Sequence, residues 1–268
     1  ERATQRSAYQ EAINHLAKGL EVLKTLPDIR ERAQRELTLQ IALGVPLRAI
    51  KGYAAPEIGA TFTRARELCQ QLEDTSQLFP VLWGLWYFSL VRAECETARE
   101  LGQQCLTLAQ RLQDPILLME AHFALGTILG LLGEFLPARA HLEQGLSIYD
   151  PQHHRSLALL IGQDLKVSSC CVVSWHLWYL GYPDQALRKT EEALALAYEL
   201  SHPFTLVYAL RFAAWLHQYR REERVVQEQV EAGIALATEH GVEREAVWAT
   251  IVRGWALGAQ GNHEEGFA

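Results

Sequence analysis

The residues of this 268-residue chain best suited to hold another molecule are its seven tryptophans. They stand at Trp83, Trp86, Trp175, Trp178, Trp215, Trp248 and Trp255, each inside a stretch of helical apolar spacing. An indole offers a broad apolar face and one N–H donor, so aromatics gathered in a groove could grip a peptide or a planar ligand. The pairs 83/86 and 175/178 also have the spacing of a buried stripe, and aromatic stripes usually pack. Core is therefore the favoured reading of these side chains and groove the alternative. The densest run, Trp175-His176-Leu177-Trp178 with Tyr179 and Tyr182, is the best pocket candidate. The candidate partner-binding residues are Trp83, Trp86, Trp175, Trp178, Tyr179 and Trp215.

Nothing comparable points to catalysis. Ten histidines are present, but none shows H-E-x-x-H or another metal-ligand spacing, and His153-His154 reads as a solvated loop. There is no G-x-x-x-x-G-K-[ST] phosphate loop, no G-x-S-x-G elbow and no G-x-G-x-x-G turn. The acid pairs Glu191-Glu192 and Glu222-Glu223, beside Arg188 and Arg224, have the pattern of surface ion pairs rather than of a general acid and base. Five cysteines without a C-x-x-C pair imply unpaired thiols in a reducing compartment. The vicinal Cys170-Cys171 reads as two small residues in a packed helix, with a redox pair as the alternative. No catalytic residue, cofactor or metal is expected in this segment, which is not expected to be an enzyme.

The elements that must position the aromatics are clearest from Leu117 to Pro151, which reads as two amphipathic helices joined at Gly133. Ala121, Ala124, Leu125, Ile128, Leu129 and Leu132 share one face of the first helix. Gly126 lies among them at a cost of about 1 kcal/mol against alanine, which close packing of a second helix would offset. Gly133 supplies a left-handed cap. Ala138, Leu142, Gly145 and Leu146 repeat the pattern in the second helix, and Asp150-Pro151 ends it. Such a hairpin cannot bury both apolar faces alone and must stack on neighbours.

Copies of the unit recur. A-x-x-H-L-x-x-G-L occurs at Ala12–Leu20 and again at Ala138–Leu146. Ala98, Ala138, Ala186, Val226 and Gly266 follow one another at 40, 48, 40 and 40 residues, the 48 containing an insertion at about 152–165. First helices are expected at Leu78–Val91, Lys166–Leu180, His202–Tyr219 and Glu243–Gln260, and all seven tryptophans fall in them. A long helix from Ile29 to Ile50 should kink or stop at Pro46. The expected fold is all-α: a tetratricopeptide-like α-solenoid of antiparallel helical hairpins in a right-handed superhelix, a single array over residues 1–268. Neither end shows a polar capping helix, so the array is expected to be part of a longer chain.

Charge narrows the partners. A net charge of −7 and only five lysines make a poor phosphate-backbone binder, so no nucleic acid is expected. No apolar run approaches the roughly 18 residues of a membrane span, and no signal peptide is visible, so a cytoplasmic location without membrane contact is expected.

The hairpin resembles the tetratricopeptide repeat at Leu125, Gly126, Gly133, Ala138 and Gly145, with His122 and Leu129 where that repeat usually has tryptophan and tyrosine. Several longer phrases resemble one bacterial family: Lys51–Glu57 (KGYAAPE), Leu78–Trp86 (LFPVLWGLW), Tyr149–Ser156 (YDPQHHRS), Leu180–Leu187 (LGYPDQAL) and Glu199–Phe204 (ELSHPF). These are similar to the C-terminal repeat region of large signalling ATPases that often carry an N-terminal class III adenylate/guanylate cyclase domain. The resemblance implies a sensor or partner-binding arm, with a nucleotide-binding domain upstream in cis. The partner would be a protein or peptide, or a small-molecule effector. Alternative readings are a segment of a nucleotide cyclase or ATP-hydrolysing enzyme, or the inducer-sensing region of a transcriptional activator. Asp164-Leu165-Lys166 departs from the glycine-containing turn expected there.

Overall fold

A computed structural model of the chain describes residues 2–27, 29–151, 164–240 and 243–267; the side chains of 2–7, 243–245 and 267 are outside the description. Among the described residues there are thirteen helices and no strand. They are α1 (Arg2–Lys24), α2 (Arg30–Lys51), α3 (Pro56–Leu72), α4 (Leu78–Val91), α5 (Cys95–Leu112), α6 (Pro115–Leu131) and α7 (Phe135–Ile148). After these come α8 (Leu165–Tyr179), α9 (Pro183–Leu200), α10 (Pro203–Tyr219), α11 (Glu223–His240), α12 (Glu243–Ala259) and α13 (His263–Phe267). The chain falls into two compact units, Glu1–Ala124 and Leu125–Ala268, with the division inside α6.

The expected 40-residue register is visible in the backbone. The residue ending each first helix has positive φ at Ala93 (58°), Gly133 (81°), Gly181 (82°), Arg221 (61°) and Gly261 (91°). The next N–H closes the same bond each time: Glu94 to Ser89 O, Glu134 to Leu129 O, Tyr182 to Leu177 O, Glu222 to His217 O and Asn262 to Leu257 O, at 2.8–3.1 Å. This is the Schellman cap, in which a left-handed residue turns two orphan carbonyls into acceptors. Three caps use glycine; Ala93 and Arg221 hold the same conformation against the steric cost of a Cβ, about 1 kcal/mol. Four residues beyond each Schellman donor, Ala98, Ala138, Ala186, Val226 and Gly266 make the first backbone bond of the second helix, each at 3.0 Å. The first four are 0% exposed, so the register that the sequence shows is a packing register.

The Gly126 argument holds in atomic terms. A Cβ built there would stand 2.4 Å from Leu142 Cγ and 3.0 Å from the Ala138 carbonyl oxygen, so the glycine lets α6 and α7 approach. Of the two alternatives at Pro46, the stop is corrected: the helix runs on to Lys51 with Pro46 buried inside it. The carbonyl four residues back that loses its donor belongs to Ala42, an exposed residue, where the loss is least costly.

The insertion expected at 152–165 lies outside the described residues as far as 163. Its last two positions are not loop. Asp164 is the N-cap of α8, its Oδ1 accepting from Val167 N at 2.9 Å, and Leu165 is the first helical residue. Asp164 is 1% exposed and also receives the Tyr149 hydroxyl at 3.1 Å, while its backbone N–H donates to Thr205 Oγ1 at 3.2 Å. An aspartate that satisfies the orphan N–H groups of a helix start replaces the glycine turn expected there.

Candidate partner-binding surface

The first helices α4, α8 and α10 are rich in aromatics and, with α6, carry almost no charge, unlike α12. In α4, α6, α8 and α10 the charged residues are Glu120, Lys166 and Arg211 alone. Helices so poor in charge can pack rings on one another and still leave apolar edges exposed.

In the first unit, Trp83 and Trp86 lie one turn apart on α4 with ring centroids 4.9 Å apart, and both meet Phe123 at 6.3 Å. Trp86 is 0% exposed, with its indole N–H enclosed and without an acceptor; Trp83 is half-buried. Tyr87, whose ring is tilted against that of Tyr53 with centroids 4.5 Å apart, carries the cluster to the turn before α3.

In the second unit the register brings rings together across hairpins. Trp175 on α8 meets Trp215 on α10, forty residues on, at 4.6 Å, and Phe212 at 4.9 Å. Trp215 in turn meets Trp248 on α12 edge-on at 5.7 Å. The Arg211 guanidinium lies about 5 Å from the Tyr208, Phe212 and Trp215 rings, a cation–π arrangement that keeps a charge within the apolar layer. A second run follows the C-terminal ends of the same helices. Phe135 stacks on Tyr179 at 4.9 Å, and Trp178 stacks on Tyr219 at 5.9 Å. The Tyr179 and Tyr219 hydroxyls share a 2.9 Å hydrogen bond. Burial and that bond hold the Tyr219 phenol above its ordinary range.

The second run is the accessible one. Tyr179 is 51% exposed, and Tyr182, Tyr219, Leu131 and Leu136 are exposed as well. A shallow cavity of about 440 Å³ adjoins it, lined by Gly133, Phe135, Leu136, Pro137 and Leu180 among others. A depression of about 480 Å³ in the first unit, around Gln34, Thr38, Ile41 and Gln77, has no aromatic lining. Of the residues singled out from sequence, Trp83 with Trp86, Trp175 with Trp215, and Trp178 with Tyr179 around Tyr219 are brought together. Tyr182 instead faces the Arg139 guanidinium at 5.8 Å. His176 is core: 3% exposed, against Gly130 and Phe135, and held neutral by burial, which lowers it to about 4.

Sequence reasoning missed Tyr219, Phe212 and Arg211. The first was available from the forty-residue spacing to Tyr179. The other two had a signal in the lone cation of an aromatic helix. One member of each acid pair is ion-paired, but with other bases than those named: Glu192 meets Lys189 at 2.7 Å and Lys166 at 3.6 Å, and Glu222 meets Arg220 at 2.9 Å. Cys170 and Cys171 are 1% and 2% exposed, and burial pushes both thiols up, Cys170 to about 12, so neither is poised as a nucleophile. Among the described residues no group of three His, Cys, Asp or Glu could hold a metal ion, and no helix is long and apolar enough to cross a membrane.

No family model and no curated protein sequence matches the chain. Solved structures do. The apo form of RapI has a TM-score of 0.74 at 14% identity, over 98% of this chain and 89% of its own. A Rap protein complexed with competence and sporulation factor has a TM-score of 0.66 at 11% identity, over 98% and 74%. A signal transduction ATPase with numerous domains and a tetratricopeptide repeat sensor, from Pyrococcus horikoshii, has 0.60 at 12% identity, over 99% of this chain but 38% of its own. At such identities the likeness is one of fold, and the chain is an all-α, tetratricopeptide-like helical repeat.

Proposed function

We propose that the chain is a regulatory scaffold that binds a protein, a peptide or a small-molecule effector on the first helices of its second unit. One observation carries this reading. α8 and α10 assemble Trp175, Trp178, Tyr179, Phe212, Trp215 and Tyr219 into two runs of ring contacts, contain no acidic residue, and leave Tyr179 half exposed. Rigid amphipathic rings on a preformed surface are what tight, low-entropy recognition uses. The Rap structure complexed with competence and sporulation factor supports the idea that such a fold can hold a partner. The likeness to a sensor-bearing ATPase, with the family phrases in the sequence, supports placing the chain as the sensor or partner-binding arm of a multidomain bacterial signalling ATPase. Its nucleotide-binding or cyclase domains would lie upstream in cis. Reading the coding sequence upstream of Glu1 in frame tests that part: a phosphate-binding loop supports it, and a start codon close by removes it.

The binding surface has its own test. Trp178→Ala should weaken partner binding by at least about tenfold, the effect of an interface hot spot, with far-UV circular dichroism unchanged. Loss of helicity in that variant would assign Trp178 to the core and overturn the assignment.

A further inference from the structure

One buried acid of the first unit has no partner. Glu120 is the one carboxylate of α6, a helix without lysine or arginine, and stands between Met119 and Ala121, both 0% exposed. It is itself only 8% exposed. Among the described residues its carboxyl has no hydrogen bond and no ion pair, and the charge that reaches it is the like charge of Asp114. A carboxylate held out of water in this way is costly unless a cation or donors meet it. Asp114, just before α6, accepts from Ile116 N at 2.8 Å and Leu117 N at 3.3 Å through Oδ1 alone, which leaves Oδ2 open. Cys105 on α5 is near enough to feel the Glu120 charge, and burial holds that thiol protonated.

The carboxyl can be reached from outside. Polar atoms sealed from water without a partner include Trp86 Nε1 and Thr127 Oγ1 but neither oxygen of Glu120, so the exposed remainder of that residue includes its tip. A helical side chain leans over the turn before it, here towards Ile116 and Leu117, both half-buried and apolar. The arrangement is a carboxyl at the foot of an apolar wall, under the negative charge of Asp114. We propose that Glu120 is a binding site for a primary alkylammonium group, whose methylenes lie on Ile116 and Leu117 and whose head donates to the carboxylate. A compact ammonium on a slender stem suits so narrow an opening better than a flat guanidinium. The carboxyl gives its proton to solvent as the cation arrives, and the cation offsets the burial that otherwise keeps it protonated. A lysine side chain and a free amine share this chemistry.

Isothermal titration calorimetry of the 268-residue chain with n-butylammonium chloride reads this directly. One saturable site is expected, with Kd on the order of 1–10 mM. Glu120→Gln keeps the shape and removes the charge, and should weaken binding by about tenfold or more. Tyr179→Ala, in the aromatic edge of the second unit, should leave it unchanged. n-Butanol, with the same stem and no charge, should show no saturable site on the parent chain, a comparison that does not depend on how the glutamine variant folds. A short polyalanine peptide with one central lysine assigns the source. Binding about tenfold tighter than n-butylammonium supports a partner's lysine, and equal or weaker binding supports a free amine. Absence of a saturable site would overturn the proposal, as would binding that Glu120→Gln leaves unmoved or that n-butanol reproduces.

Discussion

Replacing Gly126 by alanine puts the packing account at its most exposed. Elsewhere in a helix the change should stabilise, because alanine is favoured over glycine by about 1 kcal/mol. Here the new methyl would stand 2.4 Å from Leu142 Cγ, where carbon atoms rest at about 3.5–4.0 Å. Leu142 is 0% exposed, and the Ala138 carbonyl at 3.0 Å blocks the other direction, so relief requires α6 and α7 to separate. Overpacking of that kind costs about 1–3 kcal/mol, which against the propensity gain leaves a net loss of up to roughly 2 kcal/mol. The check is a double-mutant cycle by urea unfolding, followed by circular dichroism. Leu142→Ala alone should cost about 2–5 kcal/mol. In that background the space is open, so Gly126→Ala should be neutral or stabilising, giving a coupling of about 1–3 kcal/mol. If Gly126→Ala stabilises the parent chain, or costs the same in both backgrounds, the close approach is not what the glycine serves.

Other outcomes follow from burial and titration. Trp86→Ala removes a fully enclosed ring and should cost about 3–5 kcal/mol in unfolding assays. Burial, with the charge of Asp114 adding to it, pushes the Glu120 carboxyl up to about 8. The folded chain therefore binds a proton that the unfolded chain releases, and stability should fall as pH rises from about 4 to about 8. Glu120→Gln should flatten that slope in denaturation curves taken across this range, and a slope unchanged by the substitution would contradict the assignment. His176 works in the opposite sense: lowered to about 4 by burial, it contributes stability that is full above about 6.5 and lost as pH falls towards 4. Below pH 6, His176→Gln should lose less stability than the parent on acidification.

Much of the architecture could be read from residues because its punctuation is chemical. Gly133, Gly181 and Gly261 supply left-handed caps, and Pro56, Pro183 and Pro203 open helices, so most helix limits are legible to within a residue or two. The recurrence from Ala98 to Gly266 is legible because those positions hold small or compact residues, Val226 the largest, and the first four are enclosed where two helices close together. The candidate surface was less legible. Trp83 and Trp86 are the same residue type one turn apart, and only the neighbouring Phe123 and the helix orientation decide that one is enclosed and the other half-exposed. Pro46 reads locally as a helix stop, and its tolerance depends on which carbonyl it leaves without a donor. Asp164 carried an N-cap signal that the expectation of a glycine turn outweighed.

The central claim is that the aromatic edge of α8 and α10 is where a partner binds. The direct measurement is the affinity of peptides selected from a display library on the 268-residue chain, before and after Tyr179→Ala and Tyr219→Ala, with Glu228→Ala on α11 as control. Both tyrosine variants should lose about tenfold or more in affinity and the control should lose none. Peptides whose affinity is unmoved by the tyrosine variants, or moved equally by the control, would contradict it.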